Sequence, residues 1–105
     1  MEDNLNKERD FKKFMFLYFG FEKPIPEIMK TWKAWFESIS DRQIERGGFS
    51  DGREISKDGT RDLPWNMESI TGYNITEAES LDAAKKLARG NPFIVCIRIY
   101  ELRSM

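Results

Sequence analysis

The residue of this sequence with the clearest potential chemistry is Arg98, which interrupts the apolar run FIVCIRIYEL at positions 93–102. A guanidinium held inside a strand needs a partner, because an unpaired buried charge costs on the order of several kcal/mol. A ligand carboxylate could be that partner through two parallel hydrogen bonds. A protein carboxylate could also be the partner, and the candidates are Glu101 of a second copy and Asp58, Asp62 or Glu68 of the polar segment.

Aromatic and amide side chains elsewhere in the chain could complete a ligand site around this arginine. Tyrosines would supply apolar walls and hydroxyl groups. Trp65, in the loop sequence DLPWN, could cover the site as a lid or fill a gap as a hydrophobic plug. The predicted ligand-binding residues are Arg98 together with Tyr18, Trp65, Tyr73, Asn74 and Tyr100.

Residues suited to catalysis are few. Asp58 could act as a general base if it lay in a dry pocket, although its position beside Gly59 is also typical of a tight turn. Cys96 is the single cysteine and could be an inert core thiol or, close to Arg98, a reactive thiolate. The absence of histidine argues against His-based general base catalysis and against most transition-metal sites. No metal ion or cofactor is predicted.

The composition argues against several kinds of partner. Lys and Arg total 17 against 18 Asp and Glu, so no net positive field would attract nucleic acid or anionic lipid. The apolar run FMFLYFGF at 14–21 is much shorter than the roughly 20 residues that a membrane helix needs. The charged N-terminal sequence is unlike a targeting signal, and one cysteine cannot form an intrachain disulfide. A cytoplasmic location is therefore expected.

The apolar patterning predicts the elements that must position the candidate residues. Residues 1–12 are expected to form a flexible arm and residues 13–105 a single domain. Ser80 and Gly90 are candidate caps of one helix, and Asp58-Gly59 is a turn signal. The predicted elements are a strand at 14–21, a helix from Pro26 to about Arg46 that ends at Gly47-Gly48, an edge strand at 53–56, a strand at 70–76, a helix at 81–89 and a strand at 93–102.

This β-α-β-β-α-β order predicts an α+β fold, a ferredoxin-like sandwich of four antiparallel strands with both helices on one face. The first strand is apolar on both sides, with one face carrying Phe14, Phe16 and Tyr18 and the other carrying Met15, Leu17 and Phe19. Two helices can cover only one of these faces. A second copy would cover the other, so we expect a homodimer that packs sheet to sheet through the open face.

Alternation along the last strand separates a uniformly apolar set of side chains from a mixed one. The apolar set suits the side under the helices and consists of Phe93, Val95, Ile97 and Ile99. The mixed set, on the open side, consists of Ile94, Cys96, Arg98 and Tyr100. Tyr73 and Asn74 point to opposite faces of their strand, so some combination of Tyr18 with one of them is expected to join Arg98.

Four segments resemble the YCII-related, or YciI-like, family of the dimeric α+β barrel superfamily: FMFLYFG, SKDGTRDL, ITGYNITEAESLDAAKKLARGNPF and IRIYELRSM. The resemblance covers most of residues 14–105 and implies two ferredoxin-like subunits packed sheet to sheet. Many relatives carry Asp-Gly-Pro-Phe where this chain has Asp58-Gly59-Thr60-Arg61. The His-Asp pair proposed as the active site of some members has no counterpart in a chain without histidine.

The function predicted from the sequence is a homodimeric module that binds a small anionic or aromatic metabolite. One alternative is a cofactor-independent enzyme, lyase-like or dehalogenase-like, that acts on a small organic acid with Asp58 as base and Arg98 as anchor. Another alternative is an accessory domain that binds a protein partner through the loop around Trp65. A raised pKa of a site carboxylate and turnover would favour the enzyme, and a closed dimer without a pocket would favour the accessory domain.

Overall fold

The computed structural model describes residues 11–103, so residues 1–10 of the predicted N-terminal arm lie outside the described part of the chain. Lys12, which was assigned to that arm, belongs to the first strand. The elements in chain order are β1 (Lys12–Phe19), α1 (Pro26–Ser38), β2 (Gln43–Gly48), β3 (Gly52–Ser56), β4 (Gly59–Leu63), β5 (Ile70–Ala78), α2 (Leu81–Leu87) and β6 (Cys96–Glu101).

Four of the strands form an antiparallel sheet in the order β2-β5-β1-β6, and β3 and β4 form a separate two-stranded sheet. The prediction of an α+β fold with two helices and a four-stranded antiparallel sheet is therefore confirmed for the described residues. β1 lies between β5 and β6, as its apolar residues on both sides require. Neither helix of the described residues is long and apolar enough to cross a membrane.

The hydrophobic core lies between one face of the sheet and the helices. Phe14, Phe16 and Tyr18 of β1 are buried there, and they alternate with residues that point to the other face. Ile97 and Ile99 of β6 pair with Tyr18 and Phe16 and pack against the same cluster, as predicted. The helices and the residues that cap their C-terminal ends contribute large and small side chains, namely Trp32, Trp35, Phe36, Ile39, Ala83, Ala84, Leu87 and Ala88.

The two helices lie at different heights above the sheet because their inner side chains differ in size. α2 approaches β5 and β6 closely through Ala83 and Ala84. α1 stands farther away, since the large rings of Trp32 and Trp35 occupy the space beneath it. The indole Nε1 of Trp35 donates a hydrogen bond to the carbonyl oxygen of Leu87 at 3.1 Å, which ties α1 to the end of α2.

The prediction that the first helix extends to Arg46 is wrong. α1 ends at Ser38, and the apolar stripe that packs it on the sheet ends with buried Ile39. Beyond it, the N–H groups of Ser40 and Arg42 donate to carbonyls only three residues earlier, so the chain tightens into turns. The segment Gln43–Gly48 then pairs with β5 as a strand, and Gly47-Gly48 close that strand rather than a helix.

The placement of residues 53–56 on an edge of the main sheet is also wrong. They belong to β3, which pairs with β4 to form a protruding hairpin. β4 was not predicted, although the turn between the strands was, and Gly59 takes a positive φ of 128° there. Ion pairs between Arg53 and Asp62 and between Arg61 and Glu54 connect the two strands.

The remaining predicted elements are present with shifted ends. The strands predicted at 14–21, 70–76 and 93–102 correspond to β1, β5 and β6, and the second helix corresponds to α2. Ser80 is the N-cap of α2, and its Oγ accepts a hydrogen bond from the backbone N–H of Ala83 at 3.1 Å. β6 begins only at Cys96, so Phe93 and Val95 precede the strand and are exposed.

Candidate functional site

The face of the sheet that the helices leave uncovered, here called the open face, carries Met15, Leu17, Phe19, Tyr73, Ile75, Cys96, Arg98 and Tyr100. Register places these side chains in rows across the strands, because directly opposed residues share a face. In one row Leu17 lies between Tyr73 and Arg98. In the next row Met15 lies between Ile75 and Tyr100. The structure therefore brings three of the predicted ligand-binding residues, Tyr73, Arg98 and Tyr100, to one surface.

Arg98 is exposed in the single chain, and its guanidinium carbon lies 4.5 Å from the centre of the Phe19 ring. This distance is within the range of a cation–π interaction, which orients the guanidinium along the open face. Among residues 11–103 no carboxylate forms an ion pair with Arg98, so the proposed partners Asp58, Asp62 and Glu68 do not hold it within one chain.

Tyr73 is less available than Arg98 for binding. Its hydroxyl donates a hydrogen bond to Glu45 Oε2, and its ring stacks on Phe49 at a centroid distance of 5.6 Å. The hydrogen bond to Glu45, followed by partial burial and the nearby negative charge, raises the pKa of Tyr73 above its ordinary value. The ring also covers Gly47, where an added Cβ would lie 2.7 Å from it. Tyr73 therefore has a structural role at the edge of the open face.

A groove of about 680 Å³ runs beside the open face, between Leu17 and the base of the hairpin. We call it the hairpin-side groove. Its apolar walls include Leu17, Phe49, Leu63, Trp65 and Ile70. Its charged lining residues are Arg61, which is paired with Glu54, and the acids Asp51 and Glu68. Trp65 is half-buried and its ring centre lies 5.5 Å from that of Phe21. Trp65, one of the predicted ligand-binding residues, therefore lines the hairpin-side groove.

Tyr18 and Asn74 lie on the opposite side of the sheet from Arg98, so of the combinations left open by the sequence it is Tyr73, not Tyr18 or Asn74, that joins Arg98. Tyr18 is only 5% exposed, and its hydroxyl donates a hydrogen bond of 2.8 Å to the fully buried Asn74 side chain. Asn74 in turn donates to Thr76 Oγ1 at 3.0 Å. The sequence could not decide this, because the choice depends on which face of β1 the helices cover.

A second concavity of about 690 Å³, more open to solvent than the hairpin-side groove, lies beside α1 on the helix side of the sheet and includes Tyr18 in its lining. We call it the helix-side pocket. Its other defining residues are Trp32 and Phe36 of α1, Arg46 and Gly48 of β2, and Gly72 of β5. Sequence reasoning missed it, because Arg46 and Gly48 were assigned to a helix and its end. The feature that could have indicated this pocket is the pair of glycines, Gly48 and Gly72, that lie beside Tyr18 in neighbouring strands.

The candidate catalytic residues lie outside both pockets. Asp58 is exposed at the turn of the hairpin, where its backbone N–H donates to Ser56 Oγ at 3.2 Å. This placement fits its role in the turn and provides no dry pocket for a general base. Cys96 is half-buried on the open face opposite Phe19. Within residues 11–103 no group of three or more Cys, Asp or Glu side chains is arranged to hold a metal ion.

Burial of Tyr18 affects its ionisation. Loss of hydration raises the pKa of the Tyr18 hydroxyl well above its ordinary value, and the positive charge of Arg46 opposes this rise only in part. The hydroxyl therefore stays protonated and continues to donate to Asn74 at all physiological pH values. Tyr18 serves as a wall and a neutral polar group, and Arg46 is the charged group of the helix-side pocket.

Compared with known proteins, the chain matches no protein-family model and no curated protein. The function must therefore be argued from the two concave surfaces and the residues that line them.

Proposed function

We propose that the protein is a cytoplasmic, YCII-related homodimer that binds a small organic anion, aromatic or aliphatic, in the hairpin-side groove. Two subunits of ferredoxin-like topology would pack through their open faces. Arg98 would bind the negative charge, and the apolar wall with Trp65 would contact the rest of the ligand. The observation that carries this proposal is the position of Arg98, which lies outside the groove lining but next to Leu17 of that lining, without an ion-pair partner among the described residues.

The strand order and the open face support the dimer. With the β3–β4 hairpin set aside, two helices and the order β2-β5-β1-β6 fit a ferredoxin-like sandwich with one uncovered face. That face carries contiguous apolar side chains at its centre, including Met15, Leu17 and Ile75. Surfaces of this kind on small proteins are usually covered by a partner, and a twofold pairing of identical faces is the simplest way to cover them.

The volume and lining of the hairpin-side groove support ligand binding. Small-molecule sites commonly occupy about 300–1,000 Å³ and combine apolar walls with a few polar groups. The groove of about 680 Å³ has apolar walls from Trp65 and Phe49 and charged groups from Arg61, Asp51 and Glu68, and Arg98 would add an unpaired cation from beside Leu17. The enzyme alternative gains no support, since Asp58 is exposed at the hairpin turn. The accessory-domain alternative places the partner at the loop around Trp65, and Ile55 of the hairpin, which is 82% exposed, is an apolar side chain that such a partner could cover.

The proposal is tested by a thermal-shift screen against small aromatic and aliphatic carboxylates, with Arg98→Ala in parallel. A ligand at about 100 times its Kd adds roughly 2.7 kcal/mol, which corresponds to a rise in Tm of about 10–20 °C for a domain of this size. We expect this rise in the wild type and its loss in Arg98→Ala, with the dimer retained. Arg89→Ala, which removes an exposed arginine after α2, is the matched control.

Two results would contradict the proposal. If Arg98→Ala keeps the full thermal shift, Arg98 does not bind the ligand. If no carboxylate shifts the wild type and Ile55→Ala abolishes capture of a protein partner, the accessory-domain alternative is the better description.

A further inference from the structure

We infer that the helix-side pocket is a ligand-binding site of its own, for a small planar aromatic carboxylate bound by Arg46. This site does not depend on the dimer or on Arg98, because it lies beside α1 on the other face of the sheet. It therefore goes beyond the proposed function of the hairpin-side groove.

The pocket forms where large aromatic side chains of α1 lie opposite glycines of the sheet. Trp32, Trp35 and Phe36 hold α1 away from the sheet. On the sheet below, Gly48 pairs with Gly72, and Gly72 pairs with Tyr18. Two neighbouring strands thus lack side chains beside the helix, in a row that ends at an aromatic ring. The resulting volume of about 690 Å³ is within the range of small-molecule sites.

The walls of the pocket select a flat, apolar group. The ring centres of Tyr18 and Trp32 are 5.0 Å apart in an edge-to-face arrangement, and those of Trp32 and Phe36 are 5.8 Å apart. Aromatic rings prefer offset or edge-to-face neighbours, so a planar ring entering from the Met29 side would find favourable geometry. Met29 is exposed at the rim and can adapt to the shape of the ligand.

Arg46 determines the charge of the ligand. Its guanidinium carbon lies 4.3 Å from the centre of the Phe36 ring, which fixes its plane at the pocket wall. In the part of the chain that the structure describes, no carboxylate forms an ion pair with it. The neighbouring Glu45 points to the open face, where it accepts a hydrogen bond from Tyr73. A planar guanidinium in this setting binds a carboxylate through two hydrogen bonds.

The test uses indole-3-acetate and its neutral analogue indole-3-acetamide as probes. Binding is measured by isothermal titration, and the site is located by NMR shifts of the Trp32 indole and the Met29 methyl group. We expect indole-3-acetate to bind the wild type and to move both signals. Arg46→Met keeps an aliphatic stem on Phe36 and removes the charge, so it should weaken binding of the carboxylate by about 10- to 100-fold, the loss expected for a charge-assisted pair.

Two further variants are measured with both probes. Gly48→Val should narrow the helix-side pocket and weaken binding of both probes, since its Cβ has room there and meets only the Thr71 carbonyl oxygen at 3.9 Å. Gly48 also lines the hairpin-side groove, so the Arg46 and Arg98 variants are the ones that tell the two sites apart. Arg98→Met, on the opposite face, should leave the response of the Trp32 and Met29 signals to indole-3-acetate unchanged, because these two residues line the helix-side pocket and not the hairpin-side groove. Circular dichroism and Tm confirm that each variant is folded.

Several outcomes would overturn the inference. The first is that indole-3-acetate does not bind the wild type at millimolar concentration. The second is that the acetamide binds as tightly as the acetate, which would remove the role of Arg46. The third is that Arg98→Met abolishes the shifts of the Trp32 and Met29 signals while Arg46→Met does not, which would remove Arg46 as the anchor of the probe.

Discussion

At the scale of single residues, Tyr18 connects the sheet, α1 and a buried amide. Its ring packs edge-on against Trp32 and Trp35, while its hydroxyl donates to Asn74. A buried Asn side chain needs such partners, because an unpaired buried polar group costs about 1–3 kcal/mol. Tyr18 is therefore a determinant of stability as well as a wall of the helix-side pocket.

We expect the free energy of unfolding to fall at alkaline pH because the Tyr18 hydroxyl is buried in the folded protein. The pKa of Tyr18 is raised in the folded state, so above about pH 10 the unfolded chain loses the tyrosine proton while the folded chain keeps it. The unfolded state then binds fewer protons, and the free energy of unfolding falls as pH rises. Urea unfolding between pH 8 and 11.5 measures this fall, which should be smaller in Tyr18→Phe.

Tyr100→Phe is the control, since Tyr100 is 54% exposed on the open face. At pH 7, Tyr18→Phe should also cost about 1–3 kcal/mol by leaving Asn74 without its donor, whereas Tyr100→Phe should cost little. Equal alkaline profiles for the wild type and Tyr18→Phe would mean that the Tyr18 hydroxyl is not shielded from water.

At the scale of elements, the different heights of α1 and α2 follow from the residues that each helix turns inward. We expect Ala84→Leu to destabilise the protein by about 1–3 kcal/mol, because α2 lies close to β5 and β6 and leaves no room for three more carbon atoms. Chemical denaturation monitored by circular dichroism checks this cost. Ala34→Leu on the exposed face of α1 is the matched control and should be nearly neutral.

If Ala84→Leu cost less stability than Ala34→Leu, the result would show that α2 can move away from the sheet. In that case Ala84→Leu would be tolerated and the close packing of α2 would not limit the size of its inner residues.

The elements that were predicted correctly carry strong local signals. β1, β5 and β6 are rich in aromatic and β-branched residues, and α2 has both a serine cap and a following glycine with a φ of 84°. β2 and β4 carry no such signal, since QIERGG and GTRDL are short and polar. β2 forms because β5 offers it a hydrogen-bonding edge 24 or more residues away, and a local pattern cannot show such pairing.

At the scale of the whole molecule, the predicted site residues separate because a sheet has two faces. Arg98, Tyr73 and Tyr100 share the open face, whereas Tyr18 and Asn74 share the helix side. Alternation within β6 correctly separated Arg98 from Ile97 and Ile99. It could not show which side of β1 belongs with which side of β6, since a shift of one residue between strands exchanges the two faces. Of the predicted ligand-binding residues, Trp65 lines the hairpin-side groove and Tyr18 lines the helix-side pocket.

The dimer proposal leads to a prediction about the open face as a whole. Met15 lies at its centre, between Ile75 and Tyr100, so Met15→Glu would place a charge in a sheet-to-sheet interface. Burial of an unpaired carboxylate costs several times the free energy that one apolar contact provides, so we expect the variant to be a folded monomer. Light scattering coupled to gel filtration gives the mass, and circular dichroism reports the fold.

Ile55→Glu is the matched control, because Ile55 is still more exposed but lies on the hairpin. If pairing occurs through the open face, this variant should remain a dimer and Met15→Glu should not. The Tm of the wild type should also rise with protein concentration, whereas that of Met15→Glu should stay constant. A wild type that is monomeric at all concentrations would remove the dimer, and a dimer broken only by Ile55→Glu would move the interface to the hairpin.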